Sequence, residues 1–192
     1  PEDQYFGLRS GPGRAGRRIA TVNPHRTVGQ DRVVPRPDPV IVPAAFDGYR
    51  RRGPQWARWL DGLPRLASTL LTDWALELHG PPEHGWGSLV LPVRDAQGRA
   101  LVLKLAFPEP DTAGEIPALK AWRGEGAVRL EGADPRRGAM LLERLGPADL
   151  HSVDEEDATR VLAGLYRQIH IPAPPTVPAL APLVIEWLDG LE

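Results

Sequence analysis

One cation interrupts the apolar run Leu101-Val102-Leu103-Lys104-Leu105-Ala106-Phe107, and it limits what this chain can fold into. The run reads as a strand. An ammonium within such a strand is expensive to desolvate unless an anion meets it. Glu115 follows shortly, near the start of a segment with helical spacing. A carboxylate on an adjacent helix can hold the ammonium, and the pair can then reach a phosphate. The competing reading is plainer: Lys104 snorkels from an edge strand to water.

Upstream, Trp56, Trp59, Leu60 and Leu63 fall at i, i+3, i+4 and i+7, the face of a helix. Gly62 and Pro64 predict its interruption, with Leu66, Ala67, Leu70 and Leu71 opening a second short helix. Trp74–His79 alternates like a strand, residues 80–87 read as a loop, and Ser88–Arg94 reads as the next strand. Residues 95–99 have turn chemistry and lead directly into the Lys104 strand. A three-stranded antiparallel meander is therefore the simplest topology.

Thr112-Ala113-Gly114-Glu115 has capping-box spacing, which offers Glu115 another role as the partner of Thr112. Glu115, Leu119 and Trp122 at i, i+4 and i+7 put the carboxylate on the apolar face of its helix. Pro117 removes an amide hydrogen bond there unless it lies in the first turn. Two more strands, Ala127–Leu130 and Ala139–Glu143, flank Asp134-Pro135-Arg136-Arg137-Gly138, a hairpin turn by composition. Ser152–Glu155 repeats the capping-box spacing ahead of a helical stripe, Ala158, Val161, Leu162, Leu165, Tyr166 and Ile169, which Pro172 stops. A last helix runs from Leu180 to Leu191. The expected fold class is α+β: a five-stranded antiparallel sheet plus one helix, followed by a helical region.

Many of the 22 Pro and 20 Gly crowd the front of the chain, and residues 1–45 read as a disordered basic arm. Arg14, Arg17, Arg18 and Arg26 could hold a polyanion there, but a solvated extension explains them as well. A net charge of -2 argues against bulk attraction to nucleic acid or membrane. No run approaches the roughly 18 apolar residues of a membrane span, and the first residues carry no secretion signal. The absence of cysteine removes disulfides, thiolate metal sites and a cysteine nucleophile, and suits a cytoplasmic protein. Pro1 in place of Met marks a processed chain or an excerpt. His79 and His84 have no carboxylate or third His at ligand spacing, so no metal site is expected. The lack of a GxxxxGK[ST] segment argues against a P-loop NTPase.

Several pieces, in order, resemble a known family. They are Trp74-x-Leu76, His84-Gly85-x-Gly87-Ser88-x-Val90, Leu103-Lys104-Leu105, Glu115-x-x-Ala118-Leu119-x-x-Trp122, Gly126-Ala127-Val128-Arg129-Leu130 and Met140-Leu141-Leu142-Glu143-Arg144-Leu145. Together with His170–Pro178 they resemble the streptomycin 6-kinase and hydroxyurea-kinase type of aminoglycoside phosphotransferase, over residues 55–191. The resemblance implies a protein-kinase-like small lobe at 46–146 and the start of a helical large lobe at 147–192.

It also implies ATP as cofactor. Lys104 would contact its α- and β-phosphates and Glu115 would hold Lys104. Gly85, Gly87 and Ser88 would sit in the loop over the phosphates, although a turn explains the glycines equally. Glu143, Arg144 and Leu145 would form the hinge whose backbone pairs with adenine, although charged side chains there also suit a strand emerging into solvent. The family's His-Gly-Asp-x-His-x-x-x-Asn segment and later metal-binding Asp are not matched, since His151 follows Asp149-Leu150. The catalytic base, the Mg2+ ligands and the acceptor-binding half are thus expected beyond Glu192. No catalytic residue is assigned within this chain, which alone is expected not to transfer phosphate. The implied reaction moves the γ-phosphate of ATP to a hydroxyl of an aminoglycoside-like small molecule. The alternatives are a non-catalytic remnant that binds nucleotide or a partner, and an anion-binding protein acting through its basic arm.

Overall fold

The computed structural model describes residues 40–109, 112–177 and 179–189, so residues 1–39 of the expected arm lie outside the described residues. The chain is already packed at Val40, which is 2% exposed, and a 3-10 helix, Ala44–Arg52, inserts Phe46 into the core. Helix α1, Pro54–Asp73, follows with proline in its first turn. The break expected at Gly62 and Pro64 does not occur: α1 is one 20-residue helix with Pro64 inside it. An internal proline costs about 3 kcal/mol. Trp56, Leu60, Leu63, Ala67, Leu70 and Leu71 are buried on both sides of it, and each large side chain contributes about 1.5–3 kcal/mol. The continuous stripe wins.

The sheet contains β1 (Leu76–Leu78), β2 (Glu83–Gly85), β3 (Ser88–Asp95), β4 (Ala100–Ala106), β5 (Leu130–Asp134) and β6 (Ala139–Glu143). Its order is β1-β3-β4-β6-β5, all antiparallel, with β2 also pairing β3. The expected count of five becomes six because the edge strand is broken. β1 pairs with Val93–Asp95 and β2 with Ser88–Val90, and Pro81 and Pro82 lie between them without an N–H to donate. β1 is also shorter than expected, because Trp74 caps α1 and Ala75 turns at φ 52°. β5 starts at Leu130, not Ala127: Ala127 and Val128 remain a loop, held apolar by packing beneath a second helix.

Pleat alternation divides the sheet into two faces. Leu89, Leu91, Val93, Leu101, Leu103 and Leu105 point to one face and are buried under α1 and the 3-10 helix. Val102, Lys104, Ala106, Met140 and Leu142 lie on the other. There α2, Glu115–Trp122, covers Ala106, Met140 and Leu142 through Leu119, Ile116 and Trp122. Eight residues cannot cover a whole sheet face, and Val90, Val102 and Lys104 stay partly open.

After β6, α3 (Glu155–Ile169) starts at Asp154, whose side chain accepts from the Glu156 N–H at 2.9 Å. The cap is therefore Asp154 rather than Ser152, which belongs to a preceding 3-10 turn. The far end of α3 docks on α2, where the Trp122 indole donates to the Ile169 carbonyl at 2.9 Å. Trp122→Phe should lower stability by about 1 kcal/mol and speed amide exchange in the last turn of α3, measurable by NMR. Helix α4, Leu180–Asp189, ends the described chain. Among the described residues no helix is long and apolar enough to cross a membrane.

Charged clasps fasten the sheet rim. Burial works to raise the Asp95 carboxyl, but hydrogen bonds from the Arg99 amide and guanidinium at 2.9 and 2.7 Å outweigh it and hold it below normal. Glu131 is lowered in the same way, against burial, by Arg129 at 2.6 Å and Arg99 at 3.0 Å. Asp134 is lowered, again against burial, chiefly by the Arg137 guanidinium at 2.6 Å. Carboxyls with depressed folded values bind fewer protons folded than unfolded. Their contribution is present above the ordinary carboxyl range, about pH 4, and is lost as pH falls through the depressed values. Chemical denaturation between pH 6 and pH 2 (about the span of carboxyl titration) should show that loss, and Glu131→Gln should flatten the profile.

Candidate functional site

β4 and α2 bring together the two residues singled out first. The Lys104 ammonium lies 2.5 Å from Glu115 Oε1, and the side chains are 25% and 29% exposed. The snorkelling alternative is therefore not what the fold adopts. Lys104 is on an interior strand, flanked by Val90 of β3 and Met140 of β6. Nor does Glu115 form the capping box. Gly114 is the N-cap without a side-chain bond, and the Thr112 hydroxyl engages Glu109 instead, 2.8 Å from its carbonyl and 3.2 Å from its amide nitrogen. This frees the Glu115 carboxylate for Lys104. Pro117 falls at the third helical position, in the first turn, where its missing N–H costs nothing.

A lysine carries three N–H donors. Glu115 engages the ammonium from one side, leaving donors available for a second anion. The chain has two lysines among its 23 basic residues, Lys104 and Lys120. A compact, rotatable point charge thus stands here in a chain that otherwise uses arginine.

The hairpin between β2 and β3 turns through Trp86-Gly87, closed by the pair Gly85 and Ser88. Ser88 pairs with Ala106 and Val90 with Lys104, so the hairpin's closing pair stands two strand residues, about 7 Å along the strand, beyond the Lys104 row, with the tip past it. Gly87 has φ 66°, its N–H points to the Tyr49 hydroxyl at 3.4 Å, and its carbonyl accepts from the Phe107 N–H at 2.9 Å. Ser88 is buried at 3% exposure. Gly85, the third expected loop residue, ends β2 opposite Ser88, and an added Cβ there would stand 3.1 Å from the Ser88 hydroxyl.

At the other end of the sheet face, β6 ends at Glu143. The Glu143 amide donates to the Arg129 carbonyl at 3.0 Å, and its carboxylate accepts from the Arg129 amide at 2.8 Å. Glu143 therefore clasps the α2–β5 connection, whereas Arg144 and Leu145 are exposed. A cavity of about 460 Å³ lies elsewhere, between Ala106, Thr112, Ile116, Lys120, Pro135 and Met140. Neither Lys104 nor Glu115 lines it. Its lining is mostly apolar, with Glu109, Thr112 and Lys120 as the polar residues. No three His, Asp or Glu side chains gather to hold a metal ion among the described residues.

A family model for aminoglycoside/hydroxyurea antibiotic resistance kinases matches residues 73–191, from the end of α1 into α4. The chain belongs to that family. Streptomycin 6-kinase of Streptomyces glaucescens is 43% identical over 135 residues, which is 69% of this chain and 44% of the relative. Streptomycin 6-kinase of Streptomyces griseus is 41% identical over 143 residues, covering 72% of this chain and 47% of the relative. Hydroxyurea phosphotransferase of Kitasatospora aureofaciens is 37% identical over 159 residues, covering 79% and 47%. The chain thus spans about half the length of the curated relatives it matches. No solved structure matches it.

Tyr49, Arg52 and Trp56, the aromatic and cationic residues that surround the hairpin tip, are not marked as site residues by the sequence. Arg50-Arg51-Arg52 looks like a solvated charge run. No single periodicity links the three, because Tyr49 and Arg52 end the 3-10 helix and Trp56 begins α1 beyond the break at Gly53.

Proposed function

We propose that this chain is the ATP-gripping part of a small-molecule kinase, with 46–146 as a kinase-like nucleotide lobe and 147–192 as the start of a helical lobe. The observation that carries the reading is the Lys104–Glu115 pair on the half-open sheet face. Glu115 holds the ammonium against rotation, and its remaining donors stabilise the α- and β-phosphates. Phosphoryl transfer asks a protein for positioned positive charge and little covalent participation, so a rigid pair of this kind contributes without changing its own bonds. Val90 and Val102, beside Lys104 and left partly open by α2, offer an apolar floor for adenine. Arg144 and Leu145, just past β6, are the hinge residues with backbone to offer, while Glu143 acts by fixing the hinge to Arg129. Gly85 gives the hairpin its close approach to the phosphates.

The names of the relatives support streptomycin or hydroxyurea as acceptor type. With an aminoglycoside-like acceptor the group receiving the γ-phosphate is a hydroxyl. Mg2+ accompanying ATP would take its ligands from other parts of the protein. The alternative, a non-catalytic module that binds nucleotide or a partner, draws on the exposed apolar residues Leu162, Tyr166, Ile185 and Leu188 of α3 and α4.

Thermal unfolding of the full-length protein with and without MgATP tests the reading. At a nucleotide concentration a hundredfold above Kd the stabilisation should be about 2.7 kcal/mol, and Lys104→Ala should remove most of it. Equal stabilisation of the variant would reject the assigned contact. Streptomycin-dependent ADP release separates the kinase from the non-catalytic alternative.

A further inference from the structure

Three residues that precede the stretch matched by the family model grip the hairpin tip. The Arg52 guanidinium lies over the rings of Trp86, Tyr49 and Trp56, at 5.0, 5.4 and 5.5 Å from their centroids. Tyr49 and Trp86 meet edge to face at 6.3 Å, and Tyr49 and Trp56 are 5.1 Å apart. The Tyr49 hydroxyl meets the Gly87 N–H. A Cβ on Gly87 would stand 3.2 Å from the Trp56 ring, so the glycine lets the tip lie against α1. Trp56 is itself stacked on Phe107 at 3.8 Å, which ties the same cluster to the end of the Lys104 strand.

Trp86 is 82% exposed, an arrangement that burial alone does not explain. Its ring serves Arg52 rather than the core. Arg50, two residues earlier, is taken by Asp47 and Asp61, so the cation over the rings is Arg52 specifically. The grip comes from the face of the sheet covered by α1, opposite the face that carries Lys104.

We propose that Tyr49 and Arg52 are positioning residues that latch the Trp86-Gly87 tip from behind, so that the hairpin presents a fixed edge to the phosphates. A two-residue tip at an exposed edge otherwise has to be ordered when nucleotide binds, and that ordering weakens affinity. The latch meets the cost in advance. This rests on reading 85–88 as the phosphate loop, and it adds that the ordering of that loop is controlled by the 3-10 helix Ala44–Arg52.

The test uses the full-length protein and two readouts. Without nucleotide, amide exchange at Gly87 should accelerate about fivefold in Arg52→Gln, the equivalent of one exposed cation–π contact, and also in Tyr49→Phe. Arg52→Lys, which keeps a cation over the rings, should recover part of the protection. Unchanged exchange in both Arg52→Gln and Tyr49→Phe overturns the latch. With nucleotide, KM for ATP should rise about fivefold in Arg52→Gln while kcat stays near wild type. Faster exchange with an unaltered KM overturns the positioning role. If the wild-type protein shows no ATP-dependent activity, the nucleotide reading fails, and Gly87 exchange still decides whether the latch exists. Trp86→Leu, which leaves the core untouched, replaces Arg52→Gln should that variant fold poorly.

Discussion

Lys104→Ala in the full-length protein is expected to lower kcat/KM for phosphoryl transfer by about a hundredfold to a thousandfold, the scale of losing one preorganised donor to developing charge. Its stability should fall by about 1–3 kcal/mol, between the worth of an exposed ion pair and the cost of breaking a buried one, because the pair is only about a quarter exposed on each side. The Glu115 carboxylate left behind can recover part of its hydration. Lys104→Arg should not rescue activity, because a planar fork cannot take the place of a compact ammonium between Glu115 and a phosphate. Glu115→Gln removes the charge that holds the ammonium but leaves the ammonium itself, so a loss of about tenfold is expected, smaller than that of a direct charge contact. Steady-state kinetics with melting curves on the same preparations checks the set. A Lys104→Ala protein that retains wild-type kcat/KM ends the argument for this site.

Gly138→Ala should destabilise the fold by about 2–4 kcal/mol, among the larger effects of any single methyl group here. Gly138 closes the β5–β6 turn at φ 62°, where its carbonyl accepts from the Ala106 N–H at 2.9 Å. An added Cβ would lie 2.6 Å from the Ala106 carbonyl oxygen. The obstacle is backbone, which cannot swing aside as a flexible side chain can. Relief requires β4 and β6 to part next to the row that holds Lys104 and Met140. Gly98→Ala is the control. Its φ is 76° but nothing lies within 4 Å of the added methyl, so the backbone penalty alone applies, about 1 kcal/mol. Urea denaturation of both variants separates clash from backbone strain.

The strand and helix that carry the site could be read from the sequence because each states its own constraint. Lys104 breaks an apolar run, and Glu115 shares a helical face with Leu119 and Trp122. Local chemistry misled where packing overruled it. Pro64 marks a helix end by propensity, but a buried stripe carries α1 past it. Thr112 and Ser152 sit at capping-box spacing, yet Thr112 folds back on Glu109 and Asp154 caps α3. Ala127 and Val128 look like strand because they pack, partly buried, against the cluster of Leu119, Leu130 and Met140, which alternation cannot distinguish from pairing. The Tyr49–Arg52–Trp86 cluster was hidden for another reason. Its members come from two elements far apart in sequence, and an arginine run gives no sign of which guanidinium will meet an aromatic ring.

The central claim is that the ammonium at 104 stands against the phosphates of a nucleotide. An ATP derivative bearing an acyl group on its terminal phosphate transfers that group to a lysine amine beside the phosphate chain. This stretch of the protein has two lysines to choose from, Lys104 on β4 beside Glu115 and Lys120 in the last turn of α2. Peptide mapping of the labelled full-length protein should find the acyl group on Lys104, with labelling suppressed by excess ATP. Label on Lys120, or on Lys104 but indifferent to ATP, would contradict the account.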